Sequence, residues 1–186
     1  MKPLALKSAR ASLFIALGVG VLLTIGNPIG PFLFALGLLA VCVINDGHLF
    51  TGLCGYIHDK QSFKDGMMVL LLNLMYGYLF GIFLSIANPA LKEVAAEKVA
   101  SWSDISLIGF FIRSFFCGVV MFTAVDMKKK GTMLGIIYGI PLFIFCGFQH
   151  SIANIITCGV ANSIHYTIPI AIAGNWLGSY VTRKLS

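Results

Sequence analysis

The chain reads as an all-α integral membrane protein: six transmembrane helices in an inverted 3+3 repeat, with helices two and five broken. Three observations predict this. Hydrophobic residues make up 58% of the 186 residues and charged residues 11%, with a mean hydropathy of +0.91. Soluble domains carry about 45–50% apolar and about 25% charged residues. Six apolar runs, each near the roughly 20 residues that cross a bilayer, alternate with polar punctuation. The chain also resembles itself at an offset of 102 residues. No room is left for a soluble catalytic domain, so function has to be built from the spans.

The runs cover residues 11–26, 32–57, 67–87, 105–125, 133–160 and 166–181. The first follows Arg10, lacks a small-residue cleavage site and reads as a span rather than a signal peptide. Asn27-Pro28 separates it from the second, and Asp59-Lys60 separates the second from the third. The third stops at Asn88-Pro89. The link 89–102, PALKEVAAEKVASW, is polar, has helical propensity and predicts a short surface helix. Lys128–Lys130 closes the fourth run, and Asn162-Ser163 closes the fifth. The whole predicts one transmembrane domain over 1–186, with halves of about 1–88 and 103–186.

Lysine and arginine set the orientation. Lys2, Lys7, Arg10, Lys60, Lys64, Lys128, Lys129, Lys130, Arg183 and Lys184 fall on one side. The other side carries Lys92 and Lys98, offset by Glu93 and Glu97. The positive-inside rule puts both termini in the cytoplasm of a multi-pass protein of the cell (inner or plasma) membrane. It also accounts for the net charge of +6 without nucleic acid. Arg113 lies within the fourth run, where it faces protein or water, or snorkels. Five cysteines (Cys42, Cys54, Cys117, Cys146, Cys158) lie in apolar runs without CxxC pairing and read as packing residues. No metal and no cofactor are implied.

The offset of 102 superposes His48 on His150, Asn73 on Asn175, Gly37 on Gly139, Tyr78 on Tyr180, Ser12 on Ser114 and Phe14 on Phe116. Three spans per repeat is odd, so the second copy enters from the opposite side, as in many channels and transporters. Runs two and five are interrupted by polar residues: Asn45-Asp46-Gly47-His48 before Leu49-Phe50-Thr51-Gly52, and Gly147-Phe148-Gln149-His150 before Ser151-Ile152-Ala153-Asn154. Broken backbone at membrane depth is tolerated where it is buried in protein or lines water. Matching breaks in two halves point to a binding site. Asn154 and Asn175 are candidates for satisfying backbone groups freed there.

These residues resemble the signatures of the formate/nitrite transporter family. The run Gly147–Asn154 is similar to the segment that holds that family's pore histidine, and Leu49–Gly52 to its second signature. Lys2-Pro3 with Ser8-Ala9, Asn73–Gly77, Arg113 with Cys117, and Gly174–Gly178 add support in the family's order. The resemblance implies an aquaporin-like protomer in a homopentamer, conducting small monovalent anions such as formate, nitrite or hydrosulfide, often with a proton. It makes His150 the central pore histidine and Thr51 its hydroxyl partner. His48, Gln149 and Asn154 join them at pore level. Leu49 and Phe143 become apolar constrictions, and Lys98 becomes a vestibule cation. Departures are Gln149 and His48, where acids are common, and Gly118, where asparagine is expected.

The chemistry is consistent with this assignment. A bare anion crosses an apolar constriction at a cost of several kcal/mol or more, which protonation removes. A histidine, with an ordinary pKa near 6.5, can trade a proton or donate a hydrogen bond. Other readings stay open. A neutral-solute pore for ammonia or undissociated acid fits the missing acids. A structural subunit of a membrane complex, or a metal-dependent membrane enzyme using Asp46, His48 and His150, would also embed. The expected partners are a small anion, protons and the lipid bilayer.

Overall fold

A computed structural model describes residues 2–26, 28–44 and 47–186. Among them the regular structure is helical. Helix α1 is Lys2–Ile25, α2 is Gly30–Leu39, α3 is Phe50–Leu53, α4 is Lys60–Ala87 and α5 is Ala90–Ala100. Helix α6 is Leu107–Lys129, α7 is Leu134–Phe145, α8 is Ser151–Ala161 and α9 is Ile168–Leu185.

Among the described residues, three stretches are long and apolar enough to cross a membrane: Pro3–Ile25, Lys60–Ala87 and Leu107–Lys129. They extend the first, third and fourth apolar runs at their charged ends. Long basic side chains let a helix continue past its apolar part into the interface. At Asp59 the start of α4 is fixed by a reciprocal cap. The Asp59 carboxylate accepts from Ser62 N–H at 2.8 Å, and Ser62 Oγ accepts from Asp59 N–H at 3.0 Å.

Runs two and five form shorter pieces. Pro31 in the first turn opens α2. The helix then widens into a π-turn over Ala40–Ile44, and α3 begins after extended backbone at Leu49. Asn45 and Asp46 lie outside the described residues. In the second half α7 ends before Cys146, and Gly147 takes a positive φ of 67° that a side chain rarely adopts. The chain then runs extended to His150, where α8 starts.

The link 89–102 is more than a surface helix. Leu91, Ala95 and Val99 of α5, with Trp102 beyond it, are buried against α8 and Phe110. Their i, i+4 spacing gives α5 one apolar stripe inside an otherwise charged sequence. Cys54, Cys117 and Cys158 are buried, and no cysteine is in a disulfide among the described residues.

Helices α4 and α8 cross closely, as do α6 and α9. At the first crossing a Cβ on Gly81 would overlap the Ile156 carbonyl, and one on Gly159 the Tyr78 carbonyl. Small residues let membrane helices approach to backbone contact. Gly81→Ala or Gly159→Ala is therefore expected to cost about 1–3 kcal/mol by overpacking, outweighing alanine's better helix propensity. Thermal unfolding in detergent should fall by roughly 3–8 °C. Gly139→Ala, whose Cβ would meet only the Val120 side chain at 3.2 Å, should change it little.

Candidate functional site

Non-helical backbone inside the protein leaves N–H and C=O groups that need partners. Two fully buried asparagines supply them. Asn73 Oδ1 accepts from Phe50 N–H at 2.8 Å, and its Nδ2 donates to the His48 carbonyl at 3.1 Å and the Ser8 carbonyl at 3.2 Å. Asn175 Oδ1 accepts from Ser151 N–H at 2.8 Å, and its Nδ2 donates to the Gln149 and Ser114 carbonyls, both at 2.8 Å. Each asparagine thus holds the first N–H of a helix, a carbonyl of the preceding extended segment and a carbonyl of a neighbouring long helix.

The matched bonds give the local register. Phe50 corresponds to Ser151 and His48 to Gln149, so Leu49 corresponds to His150. Asn73 and Asn175 keep the offset of 102, but the segments they hold are one residue out of step with it. The superposition of His48 on His150 is corrected accordingly: the two histidines are not equivalent in the fold.

His150 is the N-cap of α8. Its Nδ1 accepts from Ala153 N–H at 3.0 Å. A backbone N–H can only donate, so Nδ1 carries no proton there. In the neutral ring the proton sits on Nε2, 2.9 Å from Thr51 Oγ1, and is donated to it. The threonine hydroxyl keeps its own hydrogen for another acceptor. Phe143 stacks on the His150 ring with centroids 5.8 Å apart and an interplanar angle of 25°. Phe34 packs edge-on against Phe143.

A cavity of about 440 Å³ reaches this histidine. Val19, Leu22, Phe34 and Phe143 form its apolar wall. His150, Gln149, Asn154 and Thr157 form the polar one, and Glu97, Lys98 and Trp102 line it from the α5 side. A second cavity of about 50 Å³ is lined by Leu38, Val41, Leu49 and Leu53 among others.

The site residues named from sequence therefore divide. His150 reaches both Thr51 and Phe143, and Leu49 lies at the smaller cavity. Gln149 and Asn154 join each other, Asn154 Nδ2 donating to Gln149 Oε1 at 2.9 Å. Asn154 thus serves a side chain and the cavity wall rather than freed backbone. Lys98 is on the wall of the larger cavity, together with Glu97. His48 lines neither cavity; its backbone binds Asn73 and the Lys7 carbonyl.

Trp102 and Thr157 were not singled out in the sequence. Both were findable by helical spacing: Thr157 is three residues after Asn154, and Trp102 four after Lys98. The Trp102 indole N–H is buried without a hydrogen-bond partner among the described residues. Its ring meets His165 edge-on at 5.6 Å. His165 in turn contacts Ser103 Oγ at 3.1 Å and Thr167 Oγ1 at 2.8 Å, and so ties the end of α5 to the start of α9. Partial burial lowers the His165 pKa below the ordinary 6.5.

No family model matches the chain. It is 24% identical over 201 residues to the uncharacterized transporter YwcJ of Bacillus subtilis (strain 168), covering 91% of this chain and 77% of that protein. Its fold is similar to that of an FNT family ion channel: TM-score 0.77 at 20% identity, covering 97% of this chain and 85% of the other. It is also similar to a pentameric formate channel with formate bound: TM-score 0.76 at 18% identity, covering 99% and 93%. The fold is thus the one seen in FNT channels, the family whose signatures the sequence resembles.

Two outcomes follow from the site's geometry. Asn175→Ala leaves the Ser151 N–H and the Gln149 carbonyl unpaired, at about 1–3 kcal/mol each, while the Ser114 carbonyl keeps the ladder bond of its own helix. The variant should lose about 3 kcal/mol or more in thermal unfolding, with Asn175→Asp recovering part through the retained acceptor. The depressed His165 pKa adds a pH dependence. Unfolded histidine takes up its proton near pH 6.5 and the folded one at lower pH. Stability is therefore full above 6.5 and declines as pH falls through that value toward the folded pKa. Melting temperatures between pH 7.5 and 5 should show this slope, flattened in His165→Gln.

Proposed function

We propose that this chain is a membrane channel of the formate/nitrite transporter type, passing small monovalent anions of weak acids (formate, nitrite or hydrosulfide) with proton co-movement. In this reading six spans form an inverted 3+3 repeat over 1–186, the second and fifth being broken. Both termini face the cytoplasm, and five copies associate, each with its own pore. The observation that carries the proposal is the buried His150–Thr51 hydrogen bond, reached by the larger cavity through His150. In this reading Phe143, stacked on His150, and Leu49, at the smaller cavity, serve as the two apolar constrictions.

The mechanism follows from the donor geometry. Lys98 raises the local anion concentration in the larger cavity. Apolar walls then disfavour the bare charge, so the species that passes is neutral or strongly hydrogen-bonded. His150 meets it as a donor. A proton added at Nδ1 would displace the Ala153 N–H and uncap α8. A neutral ring that gave up its Nε2 proton would become an anion in an apolar place. The proton therefore comes from water in the cavity, while Nε2–H and the Thr51 hydroxyl carry the hydrogen bonds through the constriction. Gln149 and Asn154 present amide groups and no charge. That amide pair favours a second reading, a pore for neutral solutes such as ammonia or undissociated acid.

Flux in proteoliposomes tests both. With a formate, nitrite or hydrosulfide gradient, uptake should shift internal pH. His150→Asn can still cap α8 but misplaces the donor, and should cut flux roughly tenfold or more, the worth of a hydrogen bond to a charged group. Lys98→Ala should raise the half-saturating concentration with less effect on maximal flux. Ammonia flux that needs no permeant anion would favour the neutral pore. Absence of any small-anion flux in wild type would sink the channel reading for weak acids.

A further inference from the structure

On the opposite end of the molecule from the α5 wall, a groove of about 770 Å³ lies between the start of α4 and the end of α9. Lys60, Arg183 and Lys184 supply three positive charges on its rim. Its carboxylate, Asp59, is engaged: it caps Ser62 N–H and pairs with the exposed His58 at 3.1 Å. Phe63 and Tyr180 form its floor, 45% and 42% exposed. A second groove of about 390 Å³ adjoins it, lined by Ala173, Trp176, Leu177 and Tyr180. It is almost wholly apolar, and Tyr180 belongs to both.

The residues of α9 in these two grooves are 173, 176, 177, 180, 183 and 184. That is an i, i+3, i+4, i+7 series and therefore one helix face. Along that face chemistry changes from apolar through an amphipathic tyrosine to cationic. The order is that of a phospholipid: acyl chain, glycerol region, phosphate. By the positive-inside rule this end is cytoplasmic, where anionic lipids attract basic clusters. A soluble anion would use the cations but leave the apolar trough unfilled.

We propose that this face binds one anionic phospholipid, its phosphate held by Lys60, Arg183 and Lys184 and its acyl chain lying along Trp176. The site is separate from the cavities at His150, and the proposal holds whatever solute the protein passes. It has one mechanical link to them. Arg183 also donates to the Gly55 carbonyl at 3.1 Å, four residues beyond Thr51.

Bromolipid quenching of tryptophan tests it on the full chain in phosphatidylcholine liposomes. Trp176 lines the trough, whereas Trp102 is 2% exposed behind α5. Brominated phosphatidylglycerol should quench at a lower mole fraction than brominated phosphatidylcholine. Trp176→Phe should remove the difference. Lys60→Gln with Lys184→Gln, both exposed, should weaken the preference roughly fivefold per lysine, the attraction of one cation to an anionic surface. Millimolar inorganic phosphate should not relieve the quenching. Equal quenching by both lipids, an unchanged preference in the double variant, or relief by phosphate alone would overturn the proposal. So would an unquenched Trp176, which would show that a second copy of the chain covers the trough.

Discussion

The structure depends on how unpaired backbone is satisfied where helices stop inside the protein. A helix closes its own ladder, but extended residues do not, and buried orphan N–H or C=O groups are costly. Asn73 and Asn175 answer this at two places with the same three bonds. Both are side chains of long helices that cross the break. Each ties its break to α4 or α9 and to the first long helix of its half. The loop segments next to His150 and Thr51 are thereby made rigid. Rigid elements are what place donors to within a fraction of an ångström.

His150 adds a second constraint of the same kind. Its Nδ1 closes the α8 start, so the proton position on the ring is set by a backbone bond. The first-turn N–H groups of Ser151 and Ala153 are consumed by Asn175 and His150. The positive end of α8 adds its field to the site. What is presented toward Thr51 is a single oriented N–H. An arrangement that fixes orientation and tautomer suits hydrogen-bond donation better than repeated proton exchange.

Much of this was legible in the sequence, for a physical reason. Apolar runs and their basic flanks follow directly from the bilayer, and polar residues within a run mark positions where a helix cannot continue. Asn175 was readable as a backbone partner because an amide in an apolar run needs bonds. Other features were not legible. The one-residue slip between the asparagines and the segments they hold is invisible to a constant offset, so His48 was matched to His150. A stripe of Leu91, Ala95 and Val99 among charges looked like a surface helix until its packing partner α8 was known. His48 read as a pore-level residue because polar residues near a break invite that reading. The structure adds that its backbone carbonyl is part of the Asn73 frame.

The slip has a further meaning. At corresponding positions the two breaks carry Leu49 and His150, one apolar and without a side-chain cap, the other polar and capping. The frame is shared, since both asparagines make the same bonds. It does not explain the chemistry, which needs the two halves to differ. A histidine at both cap positions would put two polar rings at the centre. Leucine at both would leave Thr51 without its partner. One half supplies the ring and the other supplies the hydroxyl, two residues past its apolar cap position. The site is thus asymmetric within two matched frames, each held by its own asparagine.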